Sequence, residues 1–192
     1  MISRPTSYQH QEISGFLYKI ISSYIENQNI GIVVPPPFQM RLSQGTWEPD
    51  LIFLRAEQQS RLKETYLDGP ANIVVEITSP ESFAQDRGER FCAYEEAGVQ
   101  EYWLIDPLRQ QTEWYRLSDQ HRYLPAKLDA SGVYHSQVLA GFWLNPHWLW
   151  RSPMPATEWV TLQIGGSARA REMLEALRDI VGRDGLWQLM QE

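Results

Sequence analysis

Glu76 is the residue whose position most needs a chemical explanation, because it interrupts Ile73-Val-Val-Glu-Ile77, a run that otherwise reads as buried strand. A carboxylate buried there without a partner has its pKa raised by up to about 3–5 units, so a cation or strong donors are expected beside it. The alternative is a sheet edge at which Glu76 faces water. Strand alternation puts Val74, Glu76 and Thr78 on one face and Ile73, Val75 and Ile77 on the other, which suits both readings. A second acid, Asp50, ends Trp47-Glu-Pro-Asp50, where another apolar strand begins. Pro-Asp in that place is ordinary turn chemistry. On a strand next to Glu76 it would instead complete a two-carboxylate site for a hard divalent cation, since Mg²⁺ takes one or two protein carboxylates and fills its shell with water and phosphate oxygens. Downstream, Arg87 and Arg90 are three residues apart and Tyr94 lies four beyond Arg90, so one helical face can carry all three. A solvated surface helix, with Asp86 and Glu89 balancing the arginines, has the same spacing.

Positioning these groups requires strands and at least one helix. Ile13, Phe16, Leu17, Ile20, Ile21, Tyr24 and Ile25 recur at three- and four-residue spacing and predict an amphipathic helix within the first 30 residues. Residues 31–37, ending in Pro35-Pro36-Pro37, predict an extended turn, because proline cannot donate to a ladder. Short strands are expected at Phe38–Leu42, Leu51–Leu54 and Asn72–Thr78, with a charged, solvent-facing stretch between the last two. Ser79-Pro-Glu-Ser82 combines hydroxyl caps, a first-turn proline and an acid, so a helix should begin there and run to Ala97, stopped by Gly98. Period-two patterning then predicts a hairpin of Glu101–Asp106 and Thr112–Leu117 joined by residues 107–111, with further strands at 122–126 and 133–138. Phe142–Trp150 is rich in tryptophan and should cover a core edge or a dimer surface. Ala170–Ile180 reads as a helix. The order α-β-β-α-β-β predicts one mixed α/β domain.

Composition narrows the function classes. The chain has 192 residues, 43% of them hydrophobic, and a formal net charge of −7. That is ample for one globular core and excludes a disordered chain. The single Cys92 excludes an intrachain disulfide and a cysteine-based zinc cluster. No stretch approaches the roughly 18 apolar residues of a membrane helix, and no signal peptide is evident, so a soluble, cytoplasmic protein is expected. The acidic balance confines any nucleic-acid surface to a local patch, for which Lys19, Arg41, Arg55, Arg87 and Arg90 are the candidates.

Five segments in order carry a resemblance: Glu-Pro-Asp50, Val75-Glu76-Ile-Thr-Ser-Pro80, Asp86-Arg-Gly-Glu-Arg-Phe91, Tyr94-Glu-Glu-Ala-Gly-Val99 and Glu101-Tyr-Trp-Leu-Ile-Asp-Pro107. With Gly141-Phe-Trp-Leu144 near its end, the chain from about residue 8 to 150 resembles the bacterial Uma-two family of restriction-endonuclease-like proteins, within the PD-(D/E)XK nuclease superfamily. The resemblance implies a restriction-endonuclease-like core, a central mixed β-sheet flanked by helices, with residues 1–192 forming a single domain and a helical extension at about 167–190. It implies metal-dependent phosphodiester hydrolysis in nucleic acid, DNA foremost. Asp50 and Glu76 would bind Mg²⁺ or Mn²⁺, the Ile77 backbone carbonyl would be a further ligand, and His10 in the first helix would be accessory. Many nucleases of this superfamily work as homodimers.

The chain departs from that pattern at one residue type. The superfamily lysine two residues after the second acid is Thr78 here, and the family's helix-borne lysine is Arg90. Arginine keeps the charge but is effectively never deprotonated, so it stabilises charge without accepting a proton. Losing one well-placed transition-state donor typically costs about 10²–10³ in rate, which predicts partial activity. Against this stands a catalytically degenerate nuclease fold that binds nucleic acid or protein without cutting, and a purely structural aromatic-rich β-domain built on Trp143, Trp148 and Trp150.

Overall fold

The computed structural model describes residues 7–26, 28–80 and 82–189. Helix α1 (Tyr8–Glu26) buries Ile13, Phe16, Leu17, Ile20, Ile21 and Ile25, the apolar stripe expected from the spacing. It is followed by β1 (Gly31–Val34), β2 (Gln39–Leu42), β3 (Gly45–Trp47) and β4 (Leu51–Arg55). A 3₁₀ turn at Ala56–Arg61 leads to β5 (Tyr66–Asp68) and β6 (Ile73–Ile77). Two helices, α2 (Phe83–Asp86) and α3 (Glu89–Ala97), cross to β7 (Glu101–Asp106), then β8 (Gln111–Leu117), β9 (Tyr123–Pro125), β10 (Tyr134–His135) and β11 (Trp143–Leu144). After a second 3₁₀ turn at Pro146–Trp150, α4 (Thr157–Leu189) closes the described chain, interrupted by non-helical backbone at Gly166 and Gly182.

A six-stranded sheet in the order β1-β4-β6-β7-β8-β9 forms the centre. Its β6–β7 pair is parallel and the other pairs are antiparallel, so the sheet is mixed. The parallel pair needs a crossover, which α2 and α3 supply. Both faces are covered. On one, α1, Tyr134, Phe142 and Leu144 pack with Val160 and Ile164 of α4 over Phe53, Ile73, Val75, Ile77 and Trp103. On the other, Met40 and Leu67 of the small β3-β2-β5 sheet pack with Tyr94 of α3 over Ile52, Leu54, Val74, Tyr102 and Leu104. Glu76 lies in a central strand and is 2% exposed, so the water-facing edge alternative is overturned.

Three expectations are corrected. Residues 31–34 are an edge strand paired with β4, not a turn, because the prolines lie just beyond it and end the ladder rather than prevent it. The helix expected over Ser79–Ala97 is two helices, because Gly88 takes φ −118° and ψ −95° between them; Glu81, read as its first-turn acid, lies outside the described residues. The predicted strand at 133–138 shrinks to two residues. The helix predicted over Ala170–Ile180 lies in α4 between the non-helical Gly166 and Gly182, and the expected extension to about 190 ends one residue beyond the described chain. Gly98 does stop α3, at φ 89°, as its left-handed preference requires. Trp148 is buried against Trp143 and Trp159, so the aromatic segment is a core edge under α4. Among the described residues no helix is long and apolar enough to cross a membrane.

Candidate active site

Strand register brings the two acids together. Leu51 pairs with Val75 in the antiparallel β4–β6 ladder, so the next step outward sets Asp50 opposite Glu76. The Ile77 backbone N–H donates to Asp50 Oδ2 at 2.7 Å, and His10 Nε2 lies 2.8 Å from Asp50 Oδ1. Asp50 is thereby gripped at both oxygens, by the sheet on one side and by α1 on the other. His10 reaches it because it begins the same helix whose apolar stripe docks on the sheet.

Glu76 is gripped as well. The Tyr94 hydroxyl donates to its Oε1 at 2.7 Å, and Arg90 Nη1 lies 2.6 Å from its Oε2. Arg90 and Tyr94 are one turn apart on α3, which explains how one helix reaches both oxygens of one carboxylate. The same Arg90 nitrogen is 3.2 Å from Asp86 Oδ1, and Asp86 Oδ2 accepts from the Ser82 hydroxyl at 2.6 Å. Burial pushes the Glu76 carboxyl well above the ordinary range; Arg90 pulls it down, while the charges of Asp50 and Asp86 push it further up. Burial also raises Asp86, opposed by the Ser82 hydrogen bond and Arg90. Burial and the neighbouring Glu76 charge raise Tyr94, so its phenol stays protonated and donates.

Of the residues singled out in the sequence, the structure gathers His10, Asp50, Glu76, Ile77, Arg90 and Tyr94. Thr78 follows directly and is buried, its N–H donating to the Ile105 carbonyl at 2.7 Å. Arg87 does not share the face of Arg90 and Tyr94, because the break at Gly88 intervenes. Its guanidinium turns to Glu113, with Nε at 2.9 Å, and stacks on Phe83. Arg41 stacks on Tyr66 in the small sheet, and Arg55 is at the opposite end of β4 from Asp50, so neither belongs to this cluster. Asp86 and Ser82 were not singled out as site residues. The signal for Asp86 was its i, i+4 spacing to Arg90, which was read as surface charge balance.

The donors suit a hard cation in kind. Three carboxylates, Asp50, Glu76 and Asp86, act on one another with one guanidinium, that of Arg90, among them. All the side-chain ligand atoms are oxygens, as Mg²⁺ and Mn²⁺ prefer. Among the described residues no set of three or more His, Cys, Asp or Glu side chains is placed to hold a metal ion.

Comparison with known proteins bears on fold and family. None of the curated proteins compared matches the chain. The crystal structure of "a putative nuclease belonging to DUF820 from Anabaena variabilis" superposes with a TM-score of 0.65 at 19% identity, covering 78% of this chain and 84% of that one. This likeness is one of fold, and it makes the mixed sheet and its flanking helices restriction-endonuclease-like. A family model described as "Putative restriction endonuclease" matches residues 1–147, which include every side chain of the cluster around Glu76. A match over that much of a 192-residue chain places this protein in the Uma2 family.

Proposed function

We propose that the protein is a metal-dependent endonuclease that hydrolyses phosphodiester bonds of nucleic acid, DNA foremost. In this reading Asp50, Glu76 and the Ile77 carbonyl hold Mg²⁺ or Mn²⁺. The observation that carries the reading is the locking of Asp50 against β6 by the Ile77 N–H at 2.7 Å, one residue from a buried Glu76. When bound, the ion would acidify and orient a water and neutralise charge on the phosphate. The chain's own residues do the rest. His10 and the Ile77 N–H fix the plane of the Asp50 carboxylate. Tyr94 fixes one oxygen of Glu76. Arg90 supplies permanent positive charge beside the acids and accepts no proton. The reading includes a cytoplasmic setting, expected from the composition of the sequence, and a homodimer, carried from the resemblance.

The test is cleavage of plasmid and single-stranded DNA by purified protein with Mg²⁺ or Mn²⁺. Cleavage should vanish with EDTA and with Glu76→Gln, and Arg90→Lys should raise it. Undiminished cleavage by Glu76→Gln would overturn the assignment. A second reading, a nuclease fold kept for binding nucleic acid or protein, is favoured by the Arg90 contact with Glu76, the position that the family pattern gives to lysine. It predicts thermal stabilisation by Mn²⁺, as any ligand bound only by the native state must produce, with no cleavage.

A further inference from the structure

We propose that Arg90 is a built-in counter-cation on Glu76 and that a divalent ion reaches this carboxylate only in competition with it. The inference rests on the metal-site reading above and goes beyond it, because it concerns what sets the site's affinity. Glu76 has no idle oxygen: Oε1 accepts from Tyr94 at 2.7 Å and Oε2 is 2.6 Å from Arg90 Nη1. The guanidinium also pairs with a second carboxylate, Asp86 Oδ1 at 3.2 Å, by charge and without hydrogen-bond geometry. Asp86 cannot easily swing away, since Ser82 holds its other oxygen at 2.6 Å and the Tyr102 hydroxyl donates to its backbone carbonyl at 2.9 Å. Both carboxylates are almost fully buried, so the attraction is weakly screened. The Arg90 Nε–H is buried without an acceptor, so two ion pairs, rather than a full set of donors, keep the guanidinium where it is.

Lysine and arginine differ in this setting. An arginine stays charged under all ordinary conditions, so it cannot yield by neutralising when a second cation arrives. Two cations sharing one buried carboxylate repel each other strongly at low effective dielectric. Arg90 therefore weakens the ion's hold on Glu76, and Asp86 is the positioning residue that keeps Arg90 engaged.

The experiment measures Mn²⁺ binding to the full chain by the loss of the free-ion EPR signal. Arg90→Gln should bind Mn²⁺ at least tenfold more tightly than wild type. Equal or weaker binding by a folded Arg90→Gln overturns the proposal while leaving the metal site standing. Glu76→Gln, alone and with Arg90→Gln, separates the two claims: if it leaves Mn²⁺ binding intact, the ion is not on Glu76 and the metal-site reading itself fails. A wild-type readout guards against an unfolded variant. In ¹⁵N spectra of the arginine side chains, saturating Mg²⁺ should shift the Arg90 Nε–H resonance and speed its solvent exchange. A resonance unmoved at saturation overturns the competition.

Discussion

Glu101→Gln should destabilise the fold severely while leaving the cluster around Glu76 assembled. Glu101 begins β7, is 1% exposed, and collects five hydrogen bonds on one carboxylate. Oε2 accepts from Trp103 Nε1 at 3.0 Å and from the hydroxyls of Tyr134 and Ser136 at 2.9 Å each. Oε1 accepts from the backbone N–H groups of Gln137 at 2.6 Å and Val138 at 3.0 Å. An amide is the same shape but carries one acceptor where there were two. Its best placement keeps the oxygen on the two backbone donors, because the hydroxyls can rotate to accept and the backbone cannot. The indole N–H of Trp103 is then left facing an NH₂ group. An orphaned buried donor costs about 1–3 kcal/mol, and bonds to a charged group exceed neutral ones by about 1 kcal/mol each. Relief of carboxylate desolvation offsets part of that loss, so a net cost of about 3 kcal/mol is expected. At about 2–4 °C per kcal/mol for a chain of this size, Tm should fall by about 6–12 °C. Differential scanning calorimetry reads this directly, with an unchanged Arg90 Nε–H resonance in ¹⁵N spectra as the check that the cluster around Glu76 survives. A fall of less than about 2 °C would show that the five contacts are not acting as a charged anchor.

Two further perturbations test other parts of the fold. A Cβ at Gly31 would clash with the Leu54 carbonyl oxygen and lie 2.7 Å from the Phe53 ring, so Gly31→Ala must push β1 off β4. The expected loss is at least the roughly 1–3 kcal/mol typical of overpacking, read as a lower urea midpoint; an unchanged midpoint would mean that β1 is not paired as described. At Asp106, burial would raise the carboxyl, but the backbone N–H and guanidinium of Arg109 outweigh it and hold the pKa below its ordinary value. Since the folded-state pKa lies below the unfolded one, this contact stabilises the fold above the unfolded value of about 3.9, and the contribution disappears as pH falls through the folded pKa. Arg109→Ala should lower stability at neutral pH and flatten that part of its acid dependence; parallel wild-type and variant curves between pH 5 and 2 would refute the assignment.

The parts of this protein legible in the sequence are those encoded by local patterning. The stripe from Ile13 to Ile25 specified α1 because helical periodicity is a property of neighbours along the chain. The apolar runs around Ile52 and Val75 specified two strands, Gly98 specified the end of α3, and the anomaly of an acid in β6 singled out Glu76. Asp50, Arg90 and Tyr94 were found as residue types at plausible spacings, with the family resemblance supplying their grouping and the place of His10. What the sequence left open was which groups meet. Whether Glu76 faced water depended on β6 having neighbours on both sides, a matter of strand order that no local pattern carries. Gly31–Val34 looked like a turn because its proline-rich successor dominated the local signal, whereas pairing with β4 decided the outcome. Arg87 and Arg90 looked equivalent until a backbone break at Gly88 sent one to Glu113 and the other to Glu76. Asp86 looked like surface charge until α2 folded it against Arg90 and buried it. The sequence chose the elements because short-range sterics and periodicity act within a few residues. The tertiary structure chose the partners of each charge, because burial and Coulomb attraction depend on distances through space that only packing sets.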